Sequence, residues 1–470
     1  MLPSTVDPTY SRLRHAGGAL AHSLSADAWR RSLDVRSADA VVAPAVRVGL
    51  AILVVLIGGG LLGQTHLAGF AALGALSSAF GRHEPYRRLA AKSGCAGAGV
   101  AAYVALGAAV GAAGMPMWAE IVLLAVAAGV AFWLLAAFRI IGPGAVILIF
   151  AAAGAAGFAD TAADIGVAVA AAATGAVIGW VIVMAPALYH PHGPARVAVA
   201  RALAAVSALE NSGESAVAPA RAAIAKAREV VALGPRHPHT HELLALLDAA
   251  EAVVDGGSHD TVRARRDDFA RFESELRKVR RDIEVPRVDA ADAALPDRPE
   301  GFLRTGVRDL RDRAIVIGAG RVMLASLLAG WIALAAGLQH PLWATMGAMA
   351  ALQGANYRQT VQRGIQRLLG NVAGALLAAI LIAAALGYWP LVVVIVALQT
   401  VAELYATRNY ALTSIAVTAT ALLVIGLGEP IGPDIALSRI GDTLIGVVVG
   451  VVVAALTIAR GDHHHLPARS

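Results

Sequence analysis

Long apolar stretches, separated by short polar intervals, dominate the two ends of the chain. In the first half they are residues 44–63, 67–80, 91–113, 118–138, 141–157 and 165–187. In the second half they are residues 318–338, 341–353, 366–387, 390–405, 409–427 and 437–459. Because about 20 apolar residues cross a bilayer as a helix, this pattern predicts an all-α polytopic membrane protein with about 12 spans.

The second apolar stretch of each half is shorter than a full span. Residues 67–80 and 341–353 would cover only part of a hydrocarbon core of about 30 Å at about 1.5 Å per residue. A helix that ends inside the bilayer needs protein around its exposed backbone groups. We therefore expect two partial helices, each enclosed by its neighbours.

The two halves repeat one pattern. After its short apolar stretch, each half has a basic segment and then a small-residue helix, and superposing them places Arg82 on Arg358, Arg87 on Arg363 and Gly94 on Gly370. Such a repeat is typical of transporters built from two related units. We expect two six-helix membrane repeats in parallel orientation.

The charge distribution predicts the topology. Only 15% of the residues are charged, against about 25% in a soluble domain. Arginines occur in alternate loops, and the positive-inside rule then places the N-terminus, the centre and the C-terminus in the cytoplasm of a bacterial cell, with the spans in its inner membrane. The first 43 residues show no cleavable signal-peptide pattern.

The predicted domains follow from these boundaries. They are a cytosolic N-terminal segment (1–43), a first membrane repeat (44–187), a cytosolic helical insert (188–317), a second membrane repeat (318–459) and a cytosolic tail (460–470). Within the first segment, residues 25–35 predict a short surface helix with Ser25 as its N-cap. The insert has helical patterns at about 195–210, 215–233, 240–255 and 259–284. Charges of both signs alternate in its last helix, which argues against nucleic-acid binding.

The sequence lacks three common catalytic motifs. It has no G-x-x-x-x-G-K-[ST] loop, no H-E-x-x-H and no G-x-S-x-G, and its single cysteine, Cys95, excludes an internal disulfide. We expect no enzyme activity, no cofactor and no metal site.

Ionisable residues inside the apolar stretches are the first candidate functional groups, because charges in a membrane are costly and usually serve a pathway or a pair. Arg439 and Asp442 lie three residues apart at the start of the last stretch and share one helix face. They form either an anion or proton site or an ion pair that braces helix packing. Glu403 and Arg408 admit the same two interpretations at the end of the fourth stretch.

The repeated arginines are the second candidate group. Arg82, Arg87, Arg358 and Arg363 follow the two short helices. A guanidinium group binds a carboxylate through two parallel hydrogen bonds, so these side chains could concentrate organic anions. The positive-inside rule alone explains their charge but not their repeated spacing.

At these residues the chain resembles the fusaric acid resistance–like family of aromatic acid exporters. The resemblance rests on the short helix with Trp343, Tyr357-Arg358 to Arg367-x-x-Gly370-Asn371-x-x-Gly374, Arg408-Asn409-Tyr410-Ala411, and Arg439-x-x-Asp442-Thr443-x-x-Gly446. The first half matches more loosely, through 81–88 and 94–99. The membrane unit is also similar to that of plant malate-type anion channels.

The resemblance implies an inner-membrane exporter of aromatic or other organic acids. We expect this export to be coupled to the proton gradient and to contribute to resistance to toxic acids. Asn371 stands where the family usually has Thr, and the first half lacks the Arg–Asp pair. The residues expected to contact the anion are Arg82, Arg87, Arg358, Arg363 and Arg439; those expected to carry the proton are Asp442 and Glu403; those of the motifs and of helix packing are Gly94, Arg367, Gly370, Gly374, Arg408, Thr443 and Gly446.

Three other functions remain open at this point. A passive organic-anion channel would use the same arginines without coupling. A carrier of the major-facilitator type fits 12 spans but not the short second spans or the long insert. A membrane scaffold would recruit a partner through the insert. The expected partners are the lipid bilayer, a small organic anion, and either a second copy of the chain or an accessory membrane-fusion protein.

Overall fold

The structure of the protein is a computed structural model. It describes residues 12–35, 42–82, 84–209, 216–235, 238–256, 259–278, 299–354, 356–427 and 432–458. These described residues form helices joined by short connections and contain no strand. Each of the twelve apolar stretches overlaps a helix, so the all-α prediction is confirmed.

The first membrane half and its leader contain eight helices among the described residues. They are α1 (Arg12–Ser23), α2 (Ala26–Leu33), α3 (Val42–Leu61), α4 (Thr65–Ala75), α5 (Tyr86–Ala112), α6 (Met117–Ala137), α7 (Val146–Phe158) and α8 (Ala162–Met184). A 3₁₀ turn, Leu76–Ala79, extends α4. The predicted N-cap of α2 is confirmed, because the backbone N–H of Ala28 donates to Ser25 Oγ at 3.2 Å.

The central and second-half helices follow in chain order. The central ones are α9 (Pro186–Tyr189), α10 (Gly193–Ser207), α11 (Val217–Leu233), α12 (Pro238–Asp255), α13 (His259–Arg277) and α14 (Phe302–Asp309). The second-half ones are α15 (Arg313–Ala335), α16 (Pro341–Ala351), α17 (Tyr357–Ala383), α18 (Tyr388–Tyr405), α19 (Tyr410–Ile425) and α20 (Pro433–Leu456).

Eight helical stretches of the described chain are long and apolar enough to cross a membrane. They are Val42–Leu61, Tyr86–Ala112, Met117–Ala137, Ala162–Tyr189, Arg313–Ala335, Tyr357–Ala383, Tyr388–Tyr405 and Ser438–Leu456. The protein is therefore a multi-pass membrane protein. Helices α4 and α16 have 11 residues each and reach only about half of a hydrocarbon core at about 1.5 Å per residue. The number of 12 spans stays a prediction.

The helix of the third predicted segment in each half begins earlier than hydropathy predicts. α5 begins at Tyr86 rather than at about residue 91, and α17 begins at Tyr357 rather than at about residue 366. The basic segments expected to separate two helices are therefore largely the first turns of α5 and α17. Hydropathy detects only the apolar part of a helix, whereas Arg, Lys and Gln continue a helix well because they are strong helix formers.

Each short helix lies against the last helix of its own half through backbone contact. A Cβ atom on Gly446 of α20 would lie 2.4 Å from the carbonyl oxygen of Ala344 in α16. A Cβ atom on Gly175 of α8 would lie 1.8 Å from the carbonyl oxygen of Ala71 in α4. Only glycine permits this approach, as is common where membrane helices pack through small residues.

Contacts divide the chain into two compact units. The first contains Met1–Phe80, Gly94–Trp180 and Gly306–Ser470; the second contains Gly81–Ser93 and Val181–Thr305. In the first unit, α3 packs against α18 and α6 packs against α15. These two contacts join the membrane halves reciprocally, because each pairs the first long helix of one half with the fourth predicted segment of the other.

The second unit has its own hydrophobic core. Helices α10, α11, α12 and α13 pack together around apolar side chains that include Leu203, Leu246 and Leu247. Arg88 donates to the carboxylate of Glu229 within this unit, and Lys226 donates to the same carboxylate at 2.9 Å. Burial raises the pKa of Glu229, but hydrogen bonds and positive charge from Lys226 and Arg88 outweigh this and leave the pKa below its usual value.

Candidate anion pathway in the second membrane half

One face of α17 carries a run of polar side chains that turn towards the interior of the first unit. Arg363, Arg367 and Asn371 are spaced by four residues, so they lie one above the other along the helix. Arg367 and Asn371 are only 6% and 1% exposed. Polar groups at such depth are costly in a membrane protein and usually mark a functional site.

A cavity opens beside Arg363. Its volume is about 130 Å³, and its lining residues are Asp34, Gln359, Gln362, Arg363, Gln366, Ala406, Thr407, Arg408, Asn409 and Tyr410. Guanidinium and amide groups therefore outnumber the single carboxylate of the lining. Such donors suit a small anion, since a guanidinium and neutral N–H groups together can satisfy carboxylate oxygens.

Tyr410 links two of the arginines. The guanidinium carbon of Arg363 lies 4.6 Å from the centre of the Tyr410 ring, and Arg367 Nη1 donates to Tyr410 Oη at 3.2 Å. Arg363 also donates to Gln353 Oε1 at 3.4 Å. The Nε atoms of both arginines are buried without a hydrogen-bond partner. These two buried Nε–H donors are therefore unsatisfied in the structure.

Asn371 connects three helices one turn further along. Its Nδ2 donates to Thr443 Oγ1 of α20 at 2.6 Å, and its Oδ1 accepts from Thr418 Oγ1 of α19 and, at 3.5 Å, from Ser414 Oγ. The hydroxyl of Thr443 and the amide of Asn371 form a polar bridge across the interior. This is the position at which the sequence departs from the Thr of the resembled family.

Arg439 and Asp442 are both buried, at 5% and 0% exposure. The guanidinium carbon of Arg439 lies 4.5 Å from the centre of the Trp343 ring and 5.9 Å from that of Phe150. Nε and Nη1 of Arg439 and Oδ1 of Asp442 have no hydrogen-bond partner, while Ser438 Oγ donates to Asp442 Oδ2 at 3.3 Å. Within the described chain no salt bridge joins Arg439 to Asp442.

Trp343, in the short helix α16, is the aromatic residue that contacts the Arg439 guanidinium group at 4.5 Å. Its ring is stacked on that of His340, with 4.6 Å between the centres. Burial, and after it the positive charge of Arg439, lower the pKa of His340. A neutral imidazole is therefore favoured beside the cation, because a second positive charge would be repelled.

Glu403 lies at the end of α18. It is buried, and its Oε1 accepts a hydrogen bond from Gln399 Nε2 at 3.2 Å. Its neighbour in the candidate pair, Arg408, lines the cavity.

Three other candidate arginines are not among the residues that line the cavity. Arg82 and Arg87 belong to the second compact unit, whereas the residues that line the cavity belong to the first. Arg358, in the first turn of α17, is half-buried. Burial and then the charge of Arg358 lower the pKa of His22 in α1. Arg358 is not among the residues that line the cavity.

The motif glycines bring helices together around the site. A Cβ atom on Gly370 would lie 2.7 Å from the carbonyl oxygen of Ala411, and one on Gly374 would lie 2.5 Å from that of Ile415. Both contacts join α17 to α19 on either side of Asn371. Gly94 is different, because a Cβ atom there would meet only the Trp180 ring at 3.8 Å.

Several residues of this site were not found from the sequence. Gln362, Gln366 and Asn409 line the cavity together with the predicted Arg363, and Phe150 reaches Arg439 from α7. The glutamines could have been found, since their spacing of four continues the polar face of α17. No sequence spacing indicates Phe150, because it lies in α7, in the other half of the chain.

Comparison with known proteins bears on this part of the chain. Residues 328–453 match the model of a family described as fusaric acid resistance protein-like. The resemblance found in the sequence is confirmed here. The matched range contains α16 to α19 and nearly all of α20, and so holds Arg363, Arg367, Asn371, Arg439 and Asp442.

A curated relative is also similar. It is the uncharacterized membrane protein YvaC of Bacillus subtilis (strain 168), which is 30% identical over 155 residues. The matched stretch covers 33% of this chain and 25% of that protein's length. No solved structure matches the chain.

Proposed function

We propose that the protein is an inner-membrane exporter of aromatic or other organic acids, coupled to the proton gradient, which protects a bacterial cell from toxic acids. The observation that supports it most is the pair of buried arginines, Arg367 and Arg439, with unpartnered guanidinium nitrogens. Buried cations without ion-pair partners are costly, unless an anion neutralises them. In a pathway for organic anions, the transported anion would neutralise both arginines.

The two arginines lie on opposite sides of the Asn371–Thr443 bridge. α17 and α20 are antiparallel, because Gly364 approaches Val447 and Val451 whereas Asn371 bonds Thr443. Arg367 therefore lies before the bridge and Arg439 beyond it. An anion entering at the cavity would meet Arg363 and Arg408, then Arg367, and after the bridge Arg439.

The proposed architecture has two parallel six-helix repeats with about 12 spans. It is supported by the reciprocal packing of α3 with α18 and of α6 with α15, and by the matching contacts of Gly175 and Gly446 with the short helices. The positive-inside rule places the termini and the 188–317 insert in the cytoplasm. The cavity would then open to the cytoplasm, where an exporter collects its substrate.

Asp442 and Glu403 are the proposed proton carriers. Both are buried acids within the second half, and Asp442 Oδ1 has no hydrogen-bond partner. Asp442 lies one turn from Arg439, so its protonation changes the charge beside the proposed outer anion contact. Arg82, Arg87 and Arg358 are proposed as further anion contacts, because guanidinium groups attract organic anions.

Flux through reconstituted protein tests the proposal. We expect Arg367→Met and Arg439→Met to lower the flux of radiolabelled benzoate at least tenfold, because each removes a buried positive charge. Arg304→Met, at an exposed arginine of α14, should leave the flux within twofold. Size-exclusion profiles and helix content must match across the three variants.

The outcomes separate the remaining functions. Full flux in both Arg367→Met and Arg439→Met would contradict the pathway. Absence of flux for every carboxylate tested in the unaltered protein would favour the scaffold. Flux that never exceeds the concentration gradient would favour the passive channel.

A further inference from the structure

The C-terminal end of α2 contacts the polar face of α17. The last carbonyl groups of a helix have no partner within it, and here side chains of the second half supply the donors. Gln362 Nε2 donates to the carbonyl of Arg31 at 2.9 Å, and Gln366 Nε2 donates to that of Ser32 at 2.9 Å. Asn409 Nδ2 donates to the carbonyls of Ser32, at 3.3 Å, and Asp34, at 3.0 Å.

The same three amides line the cavity beside Arg363 and Arg408. Asp34, directly after α2, lines it too. The C-terminus of a helix carries partial negative charge, and Asp34 adds a carboxylate. The end of α2 therefore offers negative charge and oxygen acceptors to the cavity, as a carboxylate ligand would.

We propose that the end of α2 is an internal occupant of an anion-binding pocket and competes with the transported anion for the amides of Gln362, Gln366 and Asn409. The inference rests on the proposed function, since it takes the ligand to be an organic anion. Binding of the anion requires α2 to leave, and undocking of α2 opens the pocket. The N-terminal segment thus restrains the transporter when no substrate is present.

Helix α2 has two buried residues. Ala28 and Ser32 are its buried residues, whereas Trp29 is 38% and Leu33 63% exposed. The amide-to-carbonyl bonds therefore contribute to its attachment. A ligand that offers the same donors a full carboxylate can replace them, because charge-assisted hydrogen bonds are stronger than neutral ones.

Helix α1 provides a fixed point for this movement. It packs against α20, with Ala16 and Ala19 buried. Ser25 lies at the junction, where its hydroxyl donates to the carbonyl of His22 and accepts from the N–H of Ala28. The α2 helix can therefore undock while α1 remains attached.

The test weakens α2 without altering the pocket. Ser25→Ala removes the N-cap, and a lost cap weakens a helix by about 1 kcal/mol, which corresponds to about fivefold in an equilibrium constant. We expect the full-length Ser25→Ala protein to bind radiolabelled benzoate up to about fivefold more tightly than the unaltered protein, because less α2 competes.

A second readout follows α2 itself. In a Cys95→Ser background, a nitroxide at Leu33→Cys should become more mobile when benzoate is added, and already without benzoate in the Ser25→Ala variant. A nitroxide at Gly18→Cys on α1, where a side chain meets no neighbour within 4 Å, should not change.

The outcomes distinguish this inference from the proposed function. Greater mobility at position 33 in Ser25→Ala with unchanged benzoate affinity would overturn the competition and leave the transporter intact. An immobile label at saturating benzoate would overturn it as well. If neither protein binds benzoate or any other carboxylate tested, the proposed function and the inference both fail.

Discussion

The Asn371 bridge makes a quantitative prediction about stability. Asn371 donates to Thr443 at 2.6 Å and accepts from Thr418 and Ser414, and it is almost completely buried. Interhelical hydrogen bonds in membrane proteins contribute about 0.6 kcal/mol on average and up to about 1.7 kcal/mol. With two short bonds and one long one, we expect Asn371→Ala to lower the free energy of unfolding by about 1–3 kcal/mol.

A double-mutant cycle isolates the bond to Thr443. Asn371→Ala and Thr443→Val, singly and together, should show a coupling energy of about 0.6–1.7 kcal/mol. The assay is equilibrium unfolding in mixed micelles with increasing dodecyl sulfate, followed by helix content. The control partner is Thr174→Val, whose hydroxyl donates only to Ala170 of its own helix.

For the control pair, Asn371→Ala with Thr174→Val, the changes in the free energy of unfolding should add to within about 0.3–0.5 kcal/mol, as expected for distant sites. If the Thr443 cycle were equally additive, the two side chains would not interact, and the bridge between the proposed inner and outer anion contacts would be refuted.

Three further predictions concern packing, charge and coupling. Gly446→Val should destabilise the protein strongly, because its Cβ would lie 2.4 Å from a backbone oxygen, whereas Gly320→Val, with open space around it, should have little effect on thermal stability in detergent. Glu229→Gln should cost about 1 kcal/mol at pH 7 by leaving Arg88 without its carboxylate. Because the folded-state pKa of Glu229 is lowered, that cost should disappear as pH falls below about 4, and an unchanged difference there would contradict the ion pair. Asp442→Asn should abolish the pH dependence of benzoate flux if Asp442 carries the proton; retained pH dependence would exclude it.

Periodic and repeated features of the structure could be predicted from the sequence. The apolar runs predict the membrane helices. The two short runs correspond to the short helices α4 and α16, because the length of an apolar run predicts the length of the helix. The motif pattern in the second half led to Arg363, Asn371 and Arg439. The N-cap of α2 was predicted because Ser25 precedes a helical pattern, and capping is local chemistry.

Other features depend on contacts between distant parts of the chain. Asn409 and Gln366 donate to carbonyls of α2 more than 330 residues away. Every residue has a backbone carbonyl, so the sequence does not indicate which of them accept these bonds. Phe150 reaches Arg439 from the other half. The early start of α17 was missed for a different reason: hydropathy detects the apolar part of a helix, not its polar first turns.

Uphill transport tests the central claim most directly. The unaltered protein would be reconstituted in proteoliposomes containing radiolabelled benzoate and exposed to a pH gradient imposed in either direction, with a protonophore as control. The account predicts accumulation of benzoate above the level that protein-free liposomes reach through passive entry of neutral benzoic acid, in one direction of the pH gradient. This excess is lost with the protonophore and absent in Arg439→Met. A benzoate distribution equal to that of protein-free liposomes under every gradient would contradict a proton-coupled exporter.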